Sequence, residues 1–368
     1  MSRAAYILTV KRMNVKSLFR SRKIIIDLAV SAGGIAAALI YADECRRGME
    51  NGIGFCLNVL IPSLFFFMAV SSYIVQSGAA QIICRPFTRL SQALFRLPEQ
   101  SLAVILLSMI GGYPIGASCA AILSQDGRLS PSQAAKTAYI AVAAGPGFLI
   151  SFIGGSLLNE PRAGVILLTA QCIAVLLTGV IVGHAVKSEP LPHTAAHIGA
   201  KKNLLIASVH SASKAAFHMC SMVIVFSAVI EVSNRLIRNR VIGDLLSAAV
   251  EVTNGCARLS GDHPLYITAF FVGFGGLSVH FQIFATLGEL PVHKGLFFIF
   301  RIIEGIIMMA ATYIYLMAAP VTLSVFHPAA DIPSAARSAT MAGSAALVIS
   351  SLFFLSAISS KSSQQKQS

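Results

Sequence analysis

The sequence has few charged residues for its length. Only 12% of its 368 residues are Asp, Glu, Lys or Arg, whereas 55% are apolar. Soluble domains carry about 25% charged and about 45–50% apolar residues, so a soluble core would not absorb this composition. The same numbers exclude a disordered chain, a collagen and a disulfide scaffold. They predict an all-α fold, namely a polytopic helical membrane protein.

Cysteine pairs and catalytic motifs are also missing. The seven cysteines show no CxxC spacing, so the sequence predicts neither a disulfide framework nor a zinc site. No HExxH, P-loop, GxSxG, GxGxxG or paired-carboxylate pattern occurs, so we predict no enzyme, no metal site and no cofactor. His210, Lys214 and His218 share one helix face, but the lysine between the imidazoles would repel a metal ion.

Positive charge is in excess and lies beside the apolar stretches. There are 28 Lys and Arg against 15 Asp and Glu, a formal net charge of +13. Residues 1–23 hold seven of the basic residues and no acidic one. Basic flanks that stay in the cytoplasm explain this distribution. We therefore predict a cytoplasmic amino terminus, a location in the cell membrane and no nucleic-acid partner.

The apolar stretches predict two membrane halves joined by a linker. A spanning helix needs about 20 apolar residues, and the clear candidates are 24–42, 53–75, 163–183, 217–234, 295–318 and 339–358. The polar, proline-containing stretch 184–202 is the predicted linker between a first half, 24–183, and a second half, 203–318. The other segments are a basic terminus at 1–23, a loop with a last span at 319–358 and a polar tail at 359–368.

Each half contains two apolar stretches that glycine or proline interrupts. The breaks lie around 111–116 and 145–147 in the first half, and around 251–255 and 273–280 in the second. Unpaired backbone in lipid costs several kcal/mol per group, so such breaks occur inside protein or beside a water-filled cavity. Paired breaks in two halves are typical of secondary transporters, whose half-helix ends face the solute. We predict two pseudo-repeated halves with broken or re-entrant helices.

The residues at these breaks form the predicted substrate-binding site. They are Gly112, Tyr113, Pro114, Gly116, Gly145, Pro146, Glu251, Thr253, Asn254, Gly275, Gly276, Ser278, His280 and Gln282. Glu251 is the first candidate for contact with solute or a coupling ion, because it has no basic neighbour one helical turn away. A structural role at a helix end is the alternative. An unwound turn at 251–255 would place carbonyls beside its carboxylate, as a seat for Na⁺ or H⁺.

Three local patterns add detail. Asp126-Gly127 ends one helix and the capping box Ser130-Pro131-Ser132-Gln133 opens the next, so 113–124 and 131–144 form a hairpin. That hairpin either dips into the membrane from one side or consists of two short spans. Arg301 and Glu304 share a helix face and are interpreted as a self-neutralised pair. The basic and apolar stretch 79–99 predicts an amphipathic helix at the cytoplasmic interface, or a short cytoplasmic cap.

Several of these motifs together resemble the YlbJ-type sporulation integral membrane proteins. They are LNVLIPSLFFF at 57–67, GGYPIGAS at 111–118, GRLSPSQAAK, AGPGFLISFIG, EVTNG at 251–255 and GGLSVHFQ at 275–282. The wider group is the nucleoside-recognition (Gate) domain proteins, related in architecture to concentrative nucleoside transporters. The resemblance implies a spore-forming cell's membrane and a small transported solute, with dipicolinate as the proposed class. One departure is Val142-Ala143, where members often carry an asparagine pair.

Two classes of function follow from the sequence. The favoured one is a secondary transporter that moves a small polar or anionic solute, dipicolinate- or nucleoside-like, by alternating access. Half-helix amino ends would hold its carboxylate through backbone N–H groups. The alternative is a non-transporting membrane scaffold for spore envelope assembly. The expected partners are a small-molecule solute and the lipid bilayer, and the sequence leaves a homo-oligomer open.

Overall fold

The computed structural model describes residues 24–190 and 203–318, and most of these residues are helical. The first-half helices are α1 (Ile24–Ile40), α2 (Ala42–Phe55), α3 (Ile61–Ser77), α4 (Ala79–Cys84), α5 (Thr88–Phe95), α6 (Glu99–Gly111), α7 (Ile115–Gln125), α8 (Pro131–Ile140) and α9 (Pro161–Ala185). The second-half helices are α10 (Leu204–Leu236), α11 (Arg240–Val250), α12 (Val252–Leu259), α13 (Leu265–Phe274), α14 (Gly276–Leu287) and α15 (Lys294–Ala318). These two ranges contain no strand, and the all-α prediction is confirmed.

Two π-helical segments and a short 3-10 helix, Arg85–Phe87 between α4 and α5, complete the described helical elements. The π-helical segments are π1 (Cys56–Leu60), which joins α2 to α3, and π2 (Gly147–Leu157), which precedes α9. The predicted basic terminus, most of the predicted linker and the predicted last span at 339–358 lie outside the described residues.

Five helical segments are long and apolar enough to cross a membrane. They are Ala42–Ser77, Pro161–Ala185, Leu204–Leu236, Leu265–Leu287 and Lys294–Ala318. Lipid offers no hydrogen-bond partner, so an apolar run satisfies its own backbone by forming a helix. The predictions at 53–75, 163–183, 217–234 and 295–318 are confirmed, and α1 is a shorter apolar helix within the described residues.

The long helices α2–α3 and α10 run antiparallel. Near the end of α3, Gln76 Nε2 lies 3.5 Å from Ser208 Oγ at the start of α10. At the other end, Arg235 Nε lies 3.8 Å from the Glu44 carboxylate. These contacts define two ends of the bundle, which we call the Gln76 end and the Glu44 end.

The chain reverses at the first break and forms a re-entrant pair, α6–α7. A Cβ built on Gly116 would lie 2.8 Å from Ser108 Cβ, which places α7 back along α6. The tip is Gly112–Pro114, and Gly112 has φ +77, a conformation that glycine adopts without strain. At the other end of α7, Arg128 donates a hydrogen bond to Val75 O. The pair therefore opens toward the Gln76 end.

The predicted hairpin between 113–124 and 131–144 exists as α7 and α8, with its capping box at Ser130. Its polar turn lies at the Gln76 end, because Ser130 Oγ donates to Glu189 O in the segment after α9. The part that enters the bundle and returns is thus the opposite end of α7, at Gly112. The helix α8 is instead the first part of a broken span that π2 continues after an unwound stretch, 141–145.

The second half contains its own re-entrant pair, α11–α12. A Cβ on Gly255 would lie 2.1 Å from Ala248 Cα, so these short helices pack backbone to backbone around Glu251. Arg258 Nε donates to the Asp244 carboxylate at 2.8 Å, which joins the open ends. Because α11 starts just after α10 ends, this pair opens toward the Glu44 end.

The second-half breaks are narrower than the sequence predicted. At 251–255 only Glu251 leaves the helical conformation, and 252–255 belong to α12. At 273–280 only Gly275, with φ +87, separates α13 from α14. The prediction of an unwound Glu-Val-Thr-Asn-Gly turn is therefore wrong. The side chain of Glu251 caps α12 directly and allows the helix to start at the next residue.

The stretch 79–99 lies across the end of α6. The helical segment Ile82–Phe95 meets Glu99–Gly111 at 88°. Its apolar residues Ile82 and Phe87 are exposed, together with Arg85 and Arg89. Exposed apolar and basic side chains on one short helix are typical of a membrane interface, and the interfacial placement stays a prediction.

Candidate functional site

The two re-entrant tips face one small internal cavity. Its lining residues are Leu60, Leu64, Gly112, Tyr113, Gly145, Phe148, Met219, Val223, Glu251, Val252, Thr253, Val279 and Gln282. It offers about 20 Å³ to the centre of a water molecule, and one water needs about 10–15 Å³ on that measure. The cavity therefore has room for a water molecule or a small ion. An organic solute would require the tips to separate.

The first-half breaks touch each other at this cavity. A Cβ on Gly112 would lie 3.0 Å from Gly145 N, and one on Gly145 would lie 3.3 Å from Gly112 N. Larger side chains would push the tip of α6–α7 away from the broken span α8–π2. The sequence predicted both glycines as site residues, and the structure places them side by side.

Tyr113 connects the first-half tip to the second-half break. Its hydroxyl donates a 2.5 Å hydrogen bond to Val272 O near the end of α13. Its ring carbon Cε1 lies 3.8 Å from a Cβ built on Gly275. The first-half tip thus contacts the second-half break through this side chain, which also lines the cavity.

Glu251 caps the amino end of α12 inside the bundle. Its carboxylate accepts hydrogen bonds from Thr253 N at 3.0 Å, Asn254 N at 2.8 Å and Asn254 Nδ2 at 3.0 Å. The residue is 1% exposed. Because its named partners are N–H donors, the prediction that carbonyls surround the carboxylate is wrong. The alternative, a structural role at a helix end, matches the geometry, and the positive end of α12 stabilises the negative charge.

Asn254 extends this network to the long helix α10. Its amide Nδ2 also donates to Ser227 Oγ at 2.7 Å, and Ser227 in turn donates to Val223 O. Asn254 therefore holds the second-half tip against α10 rather than lining the cavity. Thr253, its neighbour, does line the cavity.

Gln282 contributes the one buried amide of the lining. Its Nε2 donates to Ser278 Oγ at 3.1 Å, while its Oε1 has no partner among the described residues. Ser278 is fully buried and does not line the cavity. A buried acceptor without a partner at a cavity is available to a ligand that donates a hydrogen bond.

His280 lies away from the cavity, in an aromatic cluster. Its ring centroid is 4.4 Å from that of Phe298, 4.8 Å from Phe274 and 5.2 Å from Phe297. Its Nδ1 is 2.5 Å from Gly276 O, one turn earlier in α14. The prediction that His280 completes the pocket is wrong for this conformation, because α14 turns the ring toward α15.

The remaining predicted residues shape the breaks without lining the cavity. A Cβ on Gly116 would lie 2.0 Å from Ala141 O, and one on Gly276 would lie 3.1 Å from Val252 N. Pro114 precedes α7, and Pro146 precedes π2. These residues set how closely the tips approach, so a contact with solute is not supported for them in this conformation.

Sequence reasoning missed the groups that hold the unwound stretch 141–145. The Gln171 amide pairs with both backbone groups of Ala144, donating to its oxygen at 2.7 Å and accepting from its nitrogen at 2.9 Å. Arg301 donates to Val142 O at 2.8 Å and Tyr139 O at 3.2 Å. The sequence signals for these groups are the amide of Gln171 within the apolar run of α9 and the basic side chain of Arg301 within that of α15. Neither signal indicates which backbone group the side chain will bond.

Replacement of Gln171 by leucine is expected to destabilise the protein. Leucine keeps the volume but leaves the buried N–H and C=O of Ala144 unpaired, and each such group costs about 1–3 kcal/mol. Thermal unfolding of the detergent-solubilised protein would show a clearly lower midpoint. The control is Thr169→Val, at an exposed position on the same helix whose hydroxyl bonds within its own turn. Equal midpoints for Gln171→Leu and the wild type would contradict this role.

The cavity carries negative but no positive side-chain charge. Glu251 is the charged residue of its lining, and the lining contains no Lys or Arg. Lys136 is buried as well, but its Nζ donates to Gly183 O, toward the Gln76 end. The buried guanidinium of Arg301 lies outside this lining. Its Nη1 is 3.5 Å from Gly273 O, and Gly273 follows Val272, whose oxygen accepts the hydrogen bond from Tyr113.

Long apolar helices, two re-entrant pairs and broken spans around an internal cavity define a multi-pass helical membrane protein. The chain is similar to the sporulation integral membrane protein YlbJ of Bacillus subtilis (strain 168), with 23% identity over an alignment covering 77% of this chain and 80% of that protein. No protein-family model and no solved structure matches the chain. YlbJ is thus a distant homologue, in agreement with the YlbJ-type resemblance. The relation to Gate-domain proteins stays a prediction.

Proposed function

We propose that this chain is a secondary transporter that moves a small polar or anionic solute across a membrane during spore formation. One observation carries the proposal. Two re-entrant pairs, α6–α7 and α11–α12, open toward opposite ends of the bundle, and their tips meet at one small cavity. Irregular backbone of this kind at membrane depth lines the solute sites of secondary transporters. The link to spore formation rests on the printed name of the homologue.

The order of elements in the two halves supports alternating access. Each half has a long helix, a re-entrant pair, a broken helix and another long helix: α2–α3, α6–α7, α8–π2 and α9, then α10, α11–α12, α13–α14 and α15. The antiparallel first helices give the halves opposite directions. Such inverted halves allow one to tilt against the other and open a shared site to either end.

The small volume of the cavity defines what must move for a solute to bind. It holds about a water molecule, so a dipicolinate- or nucleoside-like solute enters only when one tip withdraws. The first-half tip is held by Tyr113, and the second-half tip by the bond from Asn254 to Ser227. Release of either contact opens the cavity toward one end of the bundle. A membrane scaffold for spore envelope assembly would need no such cavity.

The direct test is transport by the purified chain reconstituted into liposomes. Labelled dipicolinate and labelled nucleosides are supplied separately, with and without inward Na⁺ or H⁺ gradients. We expect one of the two solute classes to accumulate against its gradient. Uptake of neither class by folded protein, under any gradient, would contradict the proposal and favour the scaffold.

A variant pair in α10 ties the transport to the cavity. Val223 is 2% exposed and lines the cavity, whereas Val225 is 58% exposed on the outer face of the same helix. Val223→Phe is expected to lower the transport rate about tenfold or more, since the extra ring fills the space between the tips. Val225→Phe should transport like the wild type. Monodispersity and melting temperature of both variants show that the difference does not come from misfolding.

Equal transport by Val223→Phe and Val225→Phe would place the solute pathway elsewhere. The cytoplasmic amino terminus and the cell-membrane location also stay predictions. Single-cysteine labelling at position 16 of a cysteine-free variant, from outside and after permeabilisation, tests the orientation.

A further inference from the structure

We propose that the buried pair Arg301–Glu304 is the exchange site of this transporter for a solute carboxylate and a proton. Protonation of Glu304 frees Arg301, and the guanidinium then binds the carboxylate of the solute. The inference rests on the proposed function and adds its coupling ion and the residue that recognises an anion. From the sequence alone, the pair is interpreted only as self-neutralised. None of the residues that line the cavity supplies a positive charge.

Arg301 lies between the two broken spans. Its guanidinium donates to Val142 O and Tyr139 O of the first span, at 2.8 and 3.2 Å, and lies 3.5 Å from Gly273 O of the second. These carbonyls are at the carboxyl ends of α8 and α13, and such ends carry partial negative charge. A single cation thus bonds the backbone at both breaks. In secondary transporters, half-helix ends at such breaks face the solute.

The pair is buried and incompletely bonded. Arg301 is fully buried and Glu304 is 1% exposed, and they form an ion pair one helical turn apart on α15. Glu304 Oε1 and Arg301 Nε have no hydrogen-bond partner among the described residues. The pair therefore keeps one free acceptor, which a proton can occupy, and one free donor, which a carboxylate oxygen can occupy.

Few ionisable groups face the pair from the elements packed around it. Among the described residues they are Tyr113 of the first-half tip and His280 of α14, both of which interact electrostatically with Arg301. The described residues show no second salt bridge to either member of the pair. Protonation of Glu304 therefore removes the negative charge that faces Arg301.

Glu251, the other buried carboxylate near the tips, is less suited to this exchange. Its oxygens already accept three N–H donors at the start of α12, and its protonation would remove one of the two acceptor oxygens of this cap. Glu304 has a free oxygen and a cationic partner that can be released. The two carboxylates thus have different roles, one in holding the second-half tip and one in exchange.

Tyr113 lies between the cavity and the pair. Its ring lines the cavity, and its hydroxyl bonds Val272 O, one residue before the carbonyl of Gly273 that faces Arg301. Withdrawal of the first-half tip removes this ring and joins the cavity to the guanidinium. The same movement that admits the solute thereby exposes its counter-charge.

The charges balance through the step. A proton from the aqueous side forms an O–H bond at Glu304 Oε1, and the neutral carboxyl releases the guanidinium. The solute carboxylate accepts N–H groups of Arg301, so the bound carboxylate and the two side chains together carry no net charge, as the ion pair did before binding. Release of the solute on the other side of the membrane reverses both events, so one proton crosses with each bound carboxylate. No oxidant or other reactant is needed.

The test measures protons and solute together. The full chain in nanodiscs is titrated with dipicolinate, and with pyridine-2-carboxylate as a second probe, in weakly buffered solution with a pH indicator. We expect the wild type to take up one proton per molecule bound. Glu304→Gln should bind the same probes without proton uptake and, in liposomes, exchange them while losing accumulation driven by a proton gradient. Glu289→Gln, an exposed carboxylate in the α14–α15 loop, is the control and should match the wild type.

Arg301→Lys provides a second variant if Glu304→Gln does not fold. Lysine keeps the charge but loses the planar pair of donors, so carboxylate binding should weaken about tenfold or more, with proton uptake retained per molecule bound. Binding by the wild type without proton uptake, or unchanged uptake by Glu304→Gln, would overturn the inference and leave the transporter standing. Transport of nucleosides with no binding of either carboxylate would do the same. Absence of binding and transport for both classes would overturn the proposed function as well.

Discussion

Arg301→Leu is expected to leave little folded protein. The change strands Glu304 as a buried, unpaired charge and removes the donors for Val142 O and Tyr139 O. Breaking a buried ion pair by removing one partner costs about 3–5 kcal/mol, a large share of the 5–15 kcal/mol that typically stabilises a folded protein. The yield of monodisperse protein after extraction, and its melting temperature, measure the loss.

A double substitution separates the ion pair from the backbone contacts. Arg301→Leu with Glu304→Leu removes both charges, and replacing a buried pair by apolar residues is often close to neutral. We expect the double variant to regain part of the stability, because only the carbonyl bonds to Arg301 remain lost. Lys294→Leu, at the exposed start of the same helix, serves as the control. An Arg301→Leu variant as stable as the wild type, or a double variant less stable than it, would contradict this account.

Glu251→Ala is the second large effect that the structure predicts. Alanine leaves Thr253 N, Asn254 N and the Asn254 amide without their acceptor inside the bundle. Loss of a helix cap costs about 1 kcal/mol in ordinary positions, and each unpaired buried group adds about 1–3 kcal/mol. We expect a lower melting temperature and faster amide hydrogen exchange in α12, together with loss of transport.

The graded variants at Glu251 distinguish a cap from an ion carrier. Glu251→Gln keeps one acceptor oxygen, so its stability should fall between those of the wild type and Glu251→Ala. Glu160→Ala is the matched control, since Glu160 caps α9 through Arg162 N at an exposed position where water can replace the acceptor. A stable Glu251→Gln that loses only gradient-driven uptake would show instead that Glu251 carries the coupling ion.

Local sequence patterns placed most helices correctly. The uniformly apolar runs became α9 and α15 within two residues of the predicted bounds, because an apolar chain in lipid satisfies its backbone only as a helix. The capping box at Ser130 formed as predicted, since all its hydrogen bonds lie within four residues. Glycines at 112 and 275 ended helices with positive φ, a property of the residue itself.

The breaks themselves depended on side chains from elsewhere. The unwound stretch 141–145 contains no proline and one glycine, at its end. It stays unwound because Gln171 and Arg301 supply hydrogen bonds that a helix would otherwise make. At 251–255 the reverse occurred. One carboxylate capped α12, and the predicted unwound turn remained helical.

The sequence by itself determined that this is a helical membrane protein, where its long spans run and at which residues they can break. Those properties follow from apolar content, helix periodicity and the local conformational limits of glycine and proline. The tertiary structure alone decided which breaks meet, that Tyr113 joins the halves, and that Arg301 bonds carbonyls 159 and 162 residues away. A buried polar group finds its partner by packing in space, and no local pattern encodes that distance.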